Sequence, residues 1–442
     1  MQNAAKLTVI DQPIARLTPY ASNARTHSKH QIRQIADSIK IFGFTNPVLV
    51  DAKGAIIAGH GRVEAAKLLD MAQVPTIQLE NLTEAQIRAY VIADNKLALN
   101  AGWDKAILAI ELQHLLTLDN QFEVTITGFE IAEIDLILQE AAKEDPDDTL
   151  EAADTGAAIT QPGDLWLLGK HRILCGSALE ETSFSVLMGG RKAQMVFVDP
   201  PYNVVIDGNV SGKGAVKHGD FAMASGEMSE AEFTKFLTDS LGLLARHTAP
   251  GSVHYVCMDW RHMGEMLAAG GSAYDTLLNL CVWAKDNGGQ GSFYRSRHEL
   301  VFCFRNGKAR NRNNIQLGKF GRYRTNVWEY PAVRGLSQQQ GEEGNLLALH
   351  PTVKPVALVA DAILDVSARG DLVLDSFLGS GSTLIAAERT GRICYGIELD
   401  PRYVDTAIRR WQRHSGQQAV HALSGKRFDE VSISSEAVVT HG

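Results

Sequence analysis

The second half of this sequence predicts an α/β fold in which a mostly parallel sheet is covered by helices on both faces. Between residues 162 and 417, short apolar runs recur, such as DLWLLG, QMVFVD, SVHYVCM and DLVLDSF. Helical patterns such as AEFTKFLTDSLGLLARH and PVALVADAILDVSA fall between several of these runs. Strand–helix alternation of this kind requires crossover connections, which bury the sheet between two helical layers. Ligands of such sheets bind beyond the carboxyl ends of the strands, so functional side chains are expected there.

The remainder of the chain predicts a smaller domain, a helical extension, a linker and a tail. Residues 1–102 alternate short strand-like runs with helical patterns, and residues 103–142 have helical periodicity. Residues 143–161 are acidic and aromatic-free, which is typical of an exposed linker. Residues 418–442 have weak periodicity and are expected to be a C-terminal tail.

Composition and length narrow the possible classes of protein. A chain of 442 residues is expected to form two or three domains. No apolar stretch reaches the roughly 18–20 residues that span a bilayer, so a cytoplasmic protein without a membrane partner is expected. The five cysteines form no CxxC pair, which argues against disulfides and a zinc site, and no metal is expected.

The net charge of −8 conceals two segments of opposite sign. Residues 140–154 contain seven acidic residues and one lysine, whereas residues 285–334 contain eleven basic residues and three acidic ones. A local positive surface attracts phosphate whatever the total charge. The basic segment is therefore either a nucleic-acid contact or a solvated arginine-rich loop.

A glycine turn follows the apolar run that ends at Asp375. Gly379 and Gly381 lie in this turn, and a helix is predicted to begin near Ser382. Glycines let a ligand approach the backbone, and a helix start offers unpaired N–H groups. Glu398 ends the next predicted strand, where a carboxylate can accept hydrogen bonds from ribose hydroxyls. By itself the turn fits a dinucleotide, a nucleotide or no ligand, but the absence of GK[ST] excludes a P-loop.

The sequence Asp-Pro-Pro-Tyr at residues 199–202 ends another buried run. The two prolines fix an extended path, so the carbonyl of Pro200 is held at a set distance from the Asp199 carboxylate. These two acceptors can bind both hydrogens of an exocyclic amino group while the Tyr202 ring stacks on a flat base. Such hydrogen bonds favour a pyramidal nitrogen and its developing positive charge. The motif therefore indicates an enzyme that modifies an amino group of a nucleobase.

Residues 162–417 resemble the beta class of amino-group DNA methyltransferases, which have a Rossmann-like S-adenosylmethionine-dependent sheet in a circularly permuted motif order. Four segments carry the resemblance: DPPY (199–202), RHELVFCF (297–304), HPTVKP (350–355) and FLGSGST (377–383). The resemblance implies catalysis by Asp199, Pro200, Pro201 and Tyr202. It also implies an S-adenosylmethionine site formed by Asp375, Phe377, Gly379, Ser380, Gly381, Thr383, Glu398, His350, Thr352 and Lys354.

Aspartate at the head of the motif resembles the adenine-N6 subgroup, with N4-cytosine methylation as the alternative. Because the target amino group is buried in duplex DNA, the base must be flipped out. The segment 203–229 is interpreted either as a cover that orders on DNA or as a disordered insertion. Double-stranded DNA is the expected partner, and a homodimer is considered. The expected DNA contacts come from the basic segment: Arg295, Arg297, Arg310, Arg312, Arg322 and Arg324.

The first hundred residues resemble the amino-terminal domain of ParB-like proteins. The matching segments are NAR (23–25), GFTNPVLVDAKGAIIAGHGRVEAAKLL (43–69) and DNK (94–96). In partition proteins the corresponding glycine-arginine box binds a nucleoside triphosphate, but here it is reduced to Gly59-His60-Gly61-Arg62. The resemblance favours an accessory domain that binds DNA or positions the enzyme. The alternative is a partition-like nucleotide switch with an inactive carboxyl-terminal half.

Overall fold

The computed structural model describes residues 7–80, 82–117, 123–141, 158–203, 226–286, 293–316, 323–332 and 353–431. The chain divides into two compact units, Met1–Ala142 and Lys143–Gly442. No helix within the described ranges is long and apolar enough to cross a membrane.

The amino-terminal unit combines a four-stranded sheet of order β1-β4-β2-β3 with five described α-helices. Local signals set the helix starts: Ser28 caps α1, and Thr83 and Gln86 form a capping box on α3. A small core of seven buried apolar residues, among them Val50 and Val63, holds the sheet against the helices. The elements are β1 Val9–Pro13, α1 Lys29–Phe42, β2 Val48–Val50, β3 Ile56–Ala58, α2 His60–Leu68, β4 Gln73–Gln78, α3 Glu84–Leu99, α4 Lys105–Thr117 and α5 Ile131–Ala141.

The carboxyl-terminal unit contains one large sheet flanked by helices. Its described strands are β5 Leu165–Leu168, β6 His171–Cys175, β7 Ala193–Val198, β8 Thr248–Met258, β9 Thr276–Ala284, β10 His298–Arg305, β11 Val327–Glu329, β12 Leu372–Asp375, β13 Ile393–Glu398 and β14 Val420–His421. Its described helices are α6 Glu181–Met188, α7 Glu230–Arg246, α8 Met263–Ala273, α9 Val356–Val366, α10 Ser382–Arg389 and α11 Pro401–Ser415.

The strand order places two distant segments side by side. The described sheet runs β11-β9-β10-β8-β7-β12-β13-β6-β5-β14, and its five central strands from β8 to β6 are parallel. β7 and β12 are neighbours, with Leu374 opposite Val196, although they are far apart in sequence. Their carboxyl ends therefore meet at one edge, where the strand order reverses and ligands bind in sheets of this type.

Apolar side chains fill both faces of this sheet. One buried cluster joins the strands to α9, α10 and α11, with Trp411 among its largest members. The other joins them to α6, α7 and α8, and includes Phe184 and Phe233. The prediction of an α/β sheet covered on both faces is confirmed, and all five cysteines lie in the buried interior.

Candidate active site

The two motif-bearing strand ends open into one small cavity. Asp199 directly follows β7, and Asp375 is the last residue of β12. The cavity is lined by eleven residues from three segments: Phe197, Asp199, Val353, Lys354, Asp375, Phe377, Leu378, Gly379, Ser380, Ser382 and Thr383. The structure thus brings the Asp-Pro-Pro-Tyr corner and the glycine turn to the same place, as one transfer step between them requires.

The Asp-Pro-Pro-Tyr corner is held from both ends. Pro200 is buried and Pro201 half-buried, and the Tyr202 hydroxyl lies 2.5 Å from Asp199 Oδ1 and 3.0 Å from an oxygen of Glu299. Asn203 has a left-handed backbone with φ of +53°, which ends the extended path. Its amide oxygen accepts hydrogen bonds from the backbone N–H groups of residues 226 and 228. The corner is therefore fixed before any base arrives.

Two carboxylates and two ammonium groups meet behind this corner. Lys354 Nζ lies 2.5 Å from Asp199 Oδ2, 3.0 Å from Glu299 Oε2 and 3.2 Å from the Tyr202 hydroxyl. Lys285 forms a short ion pair with the other oxygen of Glu299. The side chains of Lys354 and Glu299 are 4% and 6% exposed, whereas that of Asp199 is 16% exposed. Of the two carboxylates, Asp199 is therefore the one that can receive a ligand.

Burial and the ammonium groups set the protonation of this cluster. Burial raises the pKa of Asp199 above its usual value, although the Lys354 ammonium opposes the rise. At Glu299 burial also raises the pKa, but the ammonium groups of Lys354 and Lys285 outweigh it and lower the pKa to about 2. Burial by itself lowers the pKa of Lys354, yet the neighbouring carboxylates raise it above its usual value. Lys354 is therefore charged and Glu299 ionised at neutral pH.

The glycine turn is shaped by backbone hydrogen bonds and by two positive φ angles. Gly379 and Gly381 have φ values of +53° and +88°, and Gly381 directly precedes α10. A Cβ at Gly381 would lie 3.0 Å from Cβ of Ala407 in α11. The backbone N–H of Phe377 donates to Asp375 Oδ1 at 2.9 Å. The turn therefore depends on glycine for both its conformation and its packing against α11.

Two buried carboxyl groups border the turn. Glu398 accepts hydrogen bonds from the N–H groups of Gly379 and Asp400, at 2.8 and 2.9 Å. Burial raises the pKa of Glu398, and it raises the pKa of Asp375 to about 7. The Thr383 hydroxyl hydrogen-bonds to the Asp375 carboxyl group. The turn thus presents carboxyl oxygens and backbone N–H groups around the cavity.

The predicted DNA-binding arginines do not form one cluster in the structure. Arg295 and Arg297 are exposed in the connection before β10, at the same sheet edge as Asp199. β10 runs antiparallel to β8, so the chain after it emerges at the opposite edge. Arg310 and Arg312 lie there, and Arg312 is 3.9 Å from Asp371 at the start of β12.

Arg324 is a predicted DNA contact, but in the structure its guanidinium is engaged within the protein. Its guanidinium forms ion pairs with Asp361 and Asp365 of α9 and donates to the Tyr330 hydroxyl. Only 17% of its side chain is exposed. This arginine packs the 323–332 segment against α9. Three other predicted site residues lie outside the described residues: His350, Thr352 and Arg322. The same holds for residues 204–225 of the segment 203–229.

Three residues of the site, Glu299, Lys285 and Asn203, have roles that the sequence alone did not predict. Glu299 was detectable in principle, because it is a lone carboxylate in the otherwise apolar strand HELVFCF. Lys285 and Asn203 are ordinary polar residues after apolar runs, and their roles depend on contacts far along the chain.

The reduced glycine-arginine box of the amino-terminal unit begins α2. Gly59 has φ of +100°, His60 Nε2 accepts a hydrogen bond from the Tyr20 N–H, and Arg62 donates to the Asn46 carbonyl at 2.8 Å. These side chains therefore hold neighbouring loops of their own unit.

Comparison with known families matches three segments of the chain. Residues 193–409 match a family described as DNA methylase, residues 106–162 a ParB-methyltransferase HTH domain, and residues 2–95 a ParB N-terminal domain. The sequence analysis had assigned only helices and a linker to the second of these segments. In the described part of that segment, α4 and α5 are helical.

Two curated proteins and two solved structures illustrate the similarity. The chain is 58% identical over 81 residues to the ParB-like nuclease domain-containing protein YnaK of Escherichia coli (strain K12), covering 18% of this chain and 93% of YnaK. It is 29% identical over 232 residues to the Type II methyltransferase M2.DpnII of Streptococcus pneumoniae, covering 49% and 81%. An M1.HpyAVI–SAM complex has a TM-score of 0.40 at 21% identity, covering 54% and 97%. The cytosine-N4-specific PvuII DNA methyltransferase has a TM-score of 0.41 at 15% identity, covering 62% and 94%.

Proposed function

This chain belongs to the DNA methylase family and begins with a ParB-like domain, and we propose that it methylates the N6 amino group of adenine in DNA at the Asp199 corner. The predicted class, an S-adenosylmethionine-dependent amino-group DNA methyltransferase, is confirmed by the family match over residues 193–409. The observation that carries the proposal is the shared cavity between Asp199 and the glycine turn.

Asp199 and the Pro200 carbonyl accept the two N–H groups of the target amino group, and Tyr202 stacks on the base. The exocyclic nitrogen is a weak nucleophile because its lone pair is delocalised into the ring. Acceptors in fixed positions favour the pyramidal nitrogen of the transition state. Asp199 also takes the proton that the methylated nitrogen must lose, a role that its raised pKa favours.

The glycine turn fits S-adenosylmethionine. The buried Ser376 hydroxyl at the start of the turn has no hydrogen-bond partner among the described residues, so a bound ligand can supply one. When bound, this group supplies a methyl on a sulfonium sulfur that retains the C–S electron pair. Glu398 accepts the ribose hydroxyls in addition to its two backbone N–H groups, and Asp375 with Thr383 shapes the floor of the cavity.

Duplex DNA lies across the catalytic edge of the sheet. Arg295 and Arg297 are exposed there, and Phe293 and Tyr294 beside them are 87% and 82% exposed. Arginines contact phosphates, and exposed aromatic rings can fill the gap that an extruded base leaves in the stack. The enzyme works in the cytoplasm, and a homodimer is part of the proposal.

Nucleoside mass spectrometry of DNA from cells that express the chain tests this function. The wild type is expected to produce N6-methyladenine, and Asp199→Ala is expected to lower the yield by about a thousandfold or more because it removes a transition-state acceptor. Asp239→Asn, an exposed residue of α7, is the matched control and should retain full activity.

Other products would redirect the proposal. N4-methylcytosine without N6-methyladenine would make the enzyme an amino-cytosine methyltransferase built from the same parts. Absence of both methylated bases from the wild-type sample, together with triphosphate binding by the chain, would favour the partition-like switch.

A further inference from the structure

The Lys354 ammonium group occupies an oxygen of Asp199, one of the two acceptors that the target amino group needs. An ammonium has three N–H donors. Those of Lys354 are matched by Asp199 Oδ2 at 2.5 Å, Glu299 Oε2 at 3.0 Å and the Tyr202 hydroxyl oxygen at 3.2 Å. The lysine therefore sits in the catalytic corner with its hydrogen bonds complete.

This position conflicts with catalysis at the same corner. In the proposed function, on which this inference rests, Asp199 receives an N–H of the base. An ammonium already bound to Asp199 competes for that carboxylate. It also repels the positive charge that develops on the attacking nitrogen. Lys354 must therefore leave Asp199 before methyl transfer.

Glu299 provides a second place for the ammonium. Lys354 already contacts Glu299 Oε2, while Lys285 holds the opposite oxygen of the same carboxylate. The Trp283 ring lies 4.6 Å from Lys285 Nζ and 5.7 Å from Lys354 Nζ, so both cations also face an aromatic surface. A small movement away from Asp199 would leave Lys354 paired with Glu299.

We propose that Lys354 is a positioning residue that stands in for the target amino group in DNA-free enzyme and moves to Glu299 when the base enters. The base amino group then replaces it on Asp199. No bond other than hydrogen bonds and ion pairs changes in this exchange, and the lysine keeps its proton throughout.

The exchange couples base entry to the basicity of Asp199. While Lys354 is in place, its charge opposes proton uptake by Asp199. When Lys354 moves away, that opposition weakens at the moment a proton must be accepted from the methylated nitrogen. The groups that face Asp199 from the surrounding elements are Lys354 before α9, Glu299 of β10, Tyr202, Cys257 of β8 and Asp375 of β12.

The first test replaces Lys354 with the uncharged methionine in the full-length enzyme. Two neighbouring carboxylates then lose their shared cation, so the acid limb of the kcat/KM–pH profile, which reports the DNA-free enzyme, should move up by about one pH unit or more. With 2-aminopurine at the target position, fluorescence should rise because nothing competes for the corner. The Kd for S-adenosylmethionine, measured by calorimetry, should stay within about twofold because Lys354 acts on the base side.

The second test removes the place to which the lysine moves. Glu299→Gln should keep Lys354 on Asp199, raising the KM for DNA by about tenfold and leaving the Kd for S-adenosylmethionine unchanged. Lys235→Met, an exposed lysine of α7, is the matched control and should change none of these values.

The opposite pattern overturns the proposal. If Lys354→Met weakens S-adenosylmethionine binding tenfold or more and leaves the pH profile in place, Lys354 is a ligand of the methyl donor, as the HPTVKP resemblance implies. If Lys354→Met does not fold, Lys354→Arg tests the same proposal. The bulkier cation should leave Asp199 less readily, so the KM for DNA should rise while S-adenosylmethionine binding stays unchanged. A wild type without N6-methyladenine would defeat the proposed function itself, which separates the two failures.

Discussion

Each unit of the molecule contains a strand, a glycine turn and a helix in succession, but the two turns have opposite chemical surroundings. β3 leads through Gly59 into α2, and β12 leads through Gly381 into α10, with φ values of +100° and +88° at the two glycines. At the first turn His60 and Arg62 hydrogen-bond to neighbouring loops of their own unit, whereas the second turn is bordered by buried carboxyl groups.

The backbone conformation of such a turn therefore does not determine which ligand it binds. Both turns lead into the start of a helix, whose unpaired N–H groups attract electron-rich groups. Only the second lies where two parallel strands of diverging order end, so side chains from neighbouring strands surround it. The identity of those side chains then selects the ligand, and four experiments test this contrast between the turns.

We expect the strongest effect to be a pH dependence of the free energy of unfolding. Of the two turns, only the second is bordered by buried titratable carboxyl groups. Burial raises the pKa of Asp375 to about 7, whereas an unfolded aspartate titrates near 4. The protonated form therefore favours the folded state, and this stability is lost as pH rises from about 4 to 7. Relative to that of Asp375→Asn, the free energy of unfolding of the wild type should fall by about 2–4 kcal/mol over that range and stay constant at higher pH.

Calorimetric melting of both proteins between pH 4 and 8 measures this difference. Asp51→Asn, in the loop before β3, is the matched control in the other unit. A constant difference between wild type and Asp375→Asn at every pH would contradict the assignment.

The second experiment compares alanine at the two glycines. Both substitutions incur the left-handed backbone cost of about 1–2 kcal/mol. At Gly381 the new Cβ also meets Ala407 of α11 at 3.0 Å, and the backbone there cannot give way easily. At Gly59 it meets only the flexible end of Arg62, at 3.1 Å.

Gly381→Ala is therefore expected to weaken S-adenosylmethionine binding by at least about tenfold, and Gly59→Ala to leave it unchanged. Calorimetric titration of the two variants checks this. Equal losses of donor affinity would remove the distinction between the turns.

The third experiment tests the carboxylate that holds the second turn. Glu398→Gln replaces one of the two carboxylate oxygens with an NH2 group. One oxygen must then accept hydrogen bonds from two backbone N–H groups and from the ribose hydroxyls. Loss of a charged acceptor costs about 1.5 kcal/mol, which corresponds to roughly tenfold in donor affinity. Glu64→Gln, on the exposed face of α2, should have no effect on titrations with S-adenosylmethionine. Unchanged affinity in Glu398→Gln would exclude the ribose contact.

The sequence predicted the strands and the residues at their carboxyl ends because those depend on local patterns. Apolar runs predicted β7 and β12, and the permuted motif order implied that their ends would meet. The sequence could not predict the ion pair beside Asp199. This Glu299–Lys354 pair joins residues 55 positions apart, which only the packing of the folded chain brings together. The resemblance implied that Lys354 lies in the methyl-donor site, and in the structure it lines the shared cavity while also contacting Asp199 and Glu299.

The basic segment, residues 285–334, also shows what the sequence alone cannot predict. Charge density predicted six DNA contacts over residues 295–324, but charge carries no information about the direction of a strand. Because β10 runs antiparallel, Arg310 and Arg312 emerge at the edge away from Asp199. Arg324 is held by two aspartates of α9, which only the folded structure brings near it.

The smallest expected effect concerns Arg62 in the first turn. Its guanidinium makes one described hydrogen bond, to the carbonyl of Asn46, so Arg62→Ala should destabilise the amino-terminal unit by about 1 kcal/mol or less. Donor affinity and the methylation rate at saturating DNA should stay within about twofold of the wild type, because no carboxylate of the second turn depends on this residue. Thermal melting and a methyl-transfer assay with tritiated donor measure the two quantities. A loss of methylation in a folded Arg62→Ala would mean that the first turn takes part in catalysis, and the contrast between the two turns would fail.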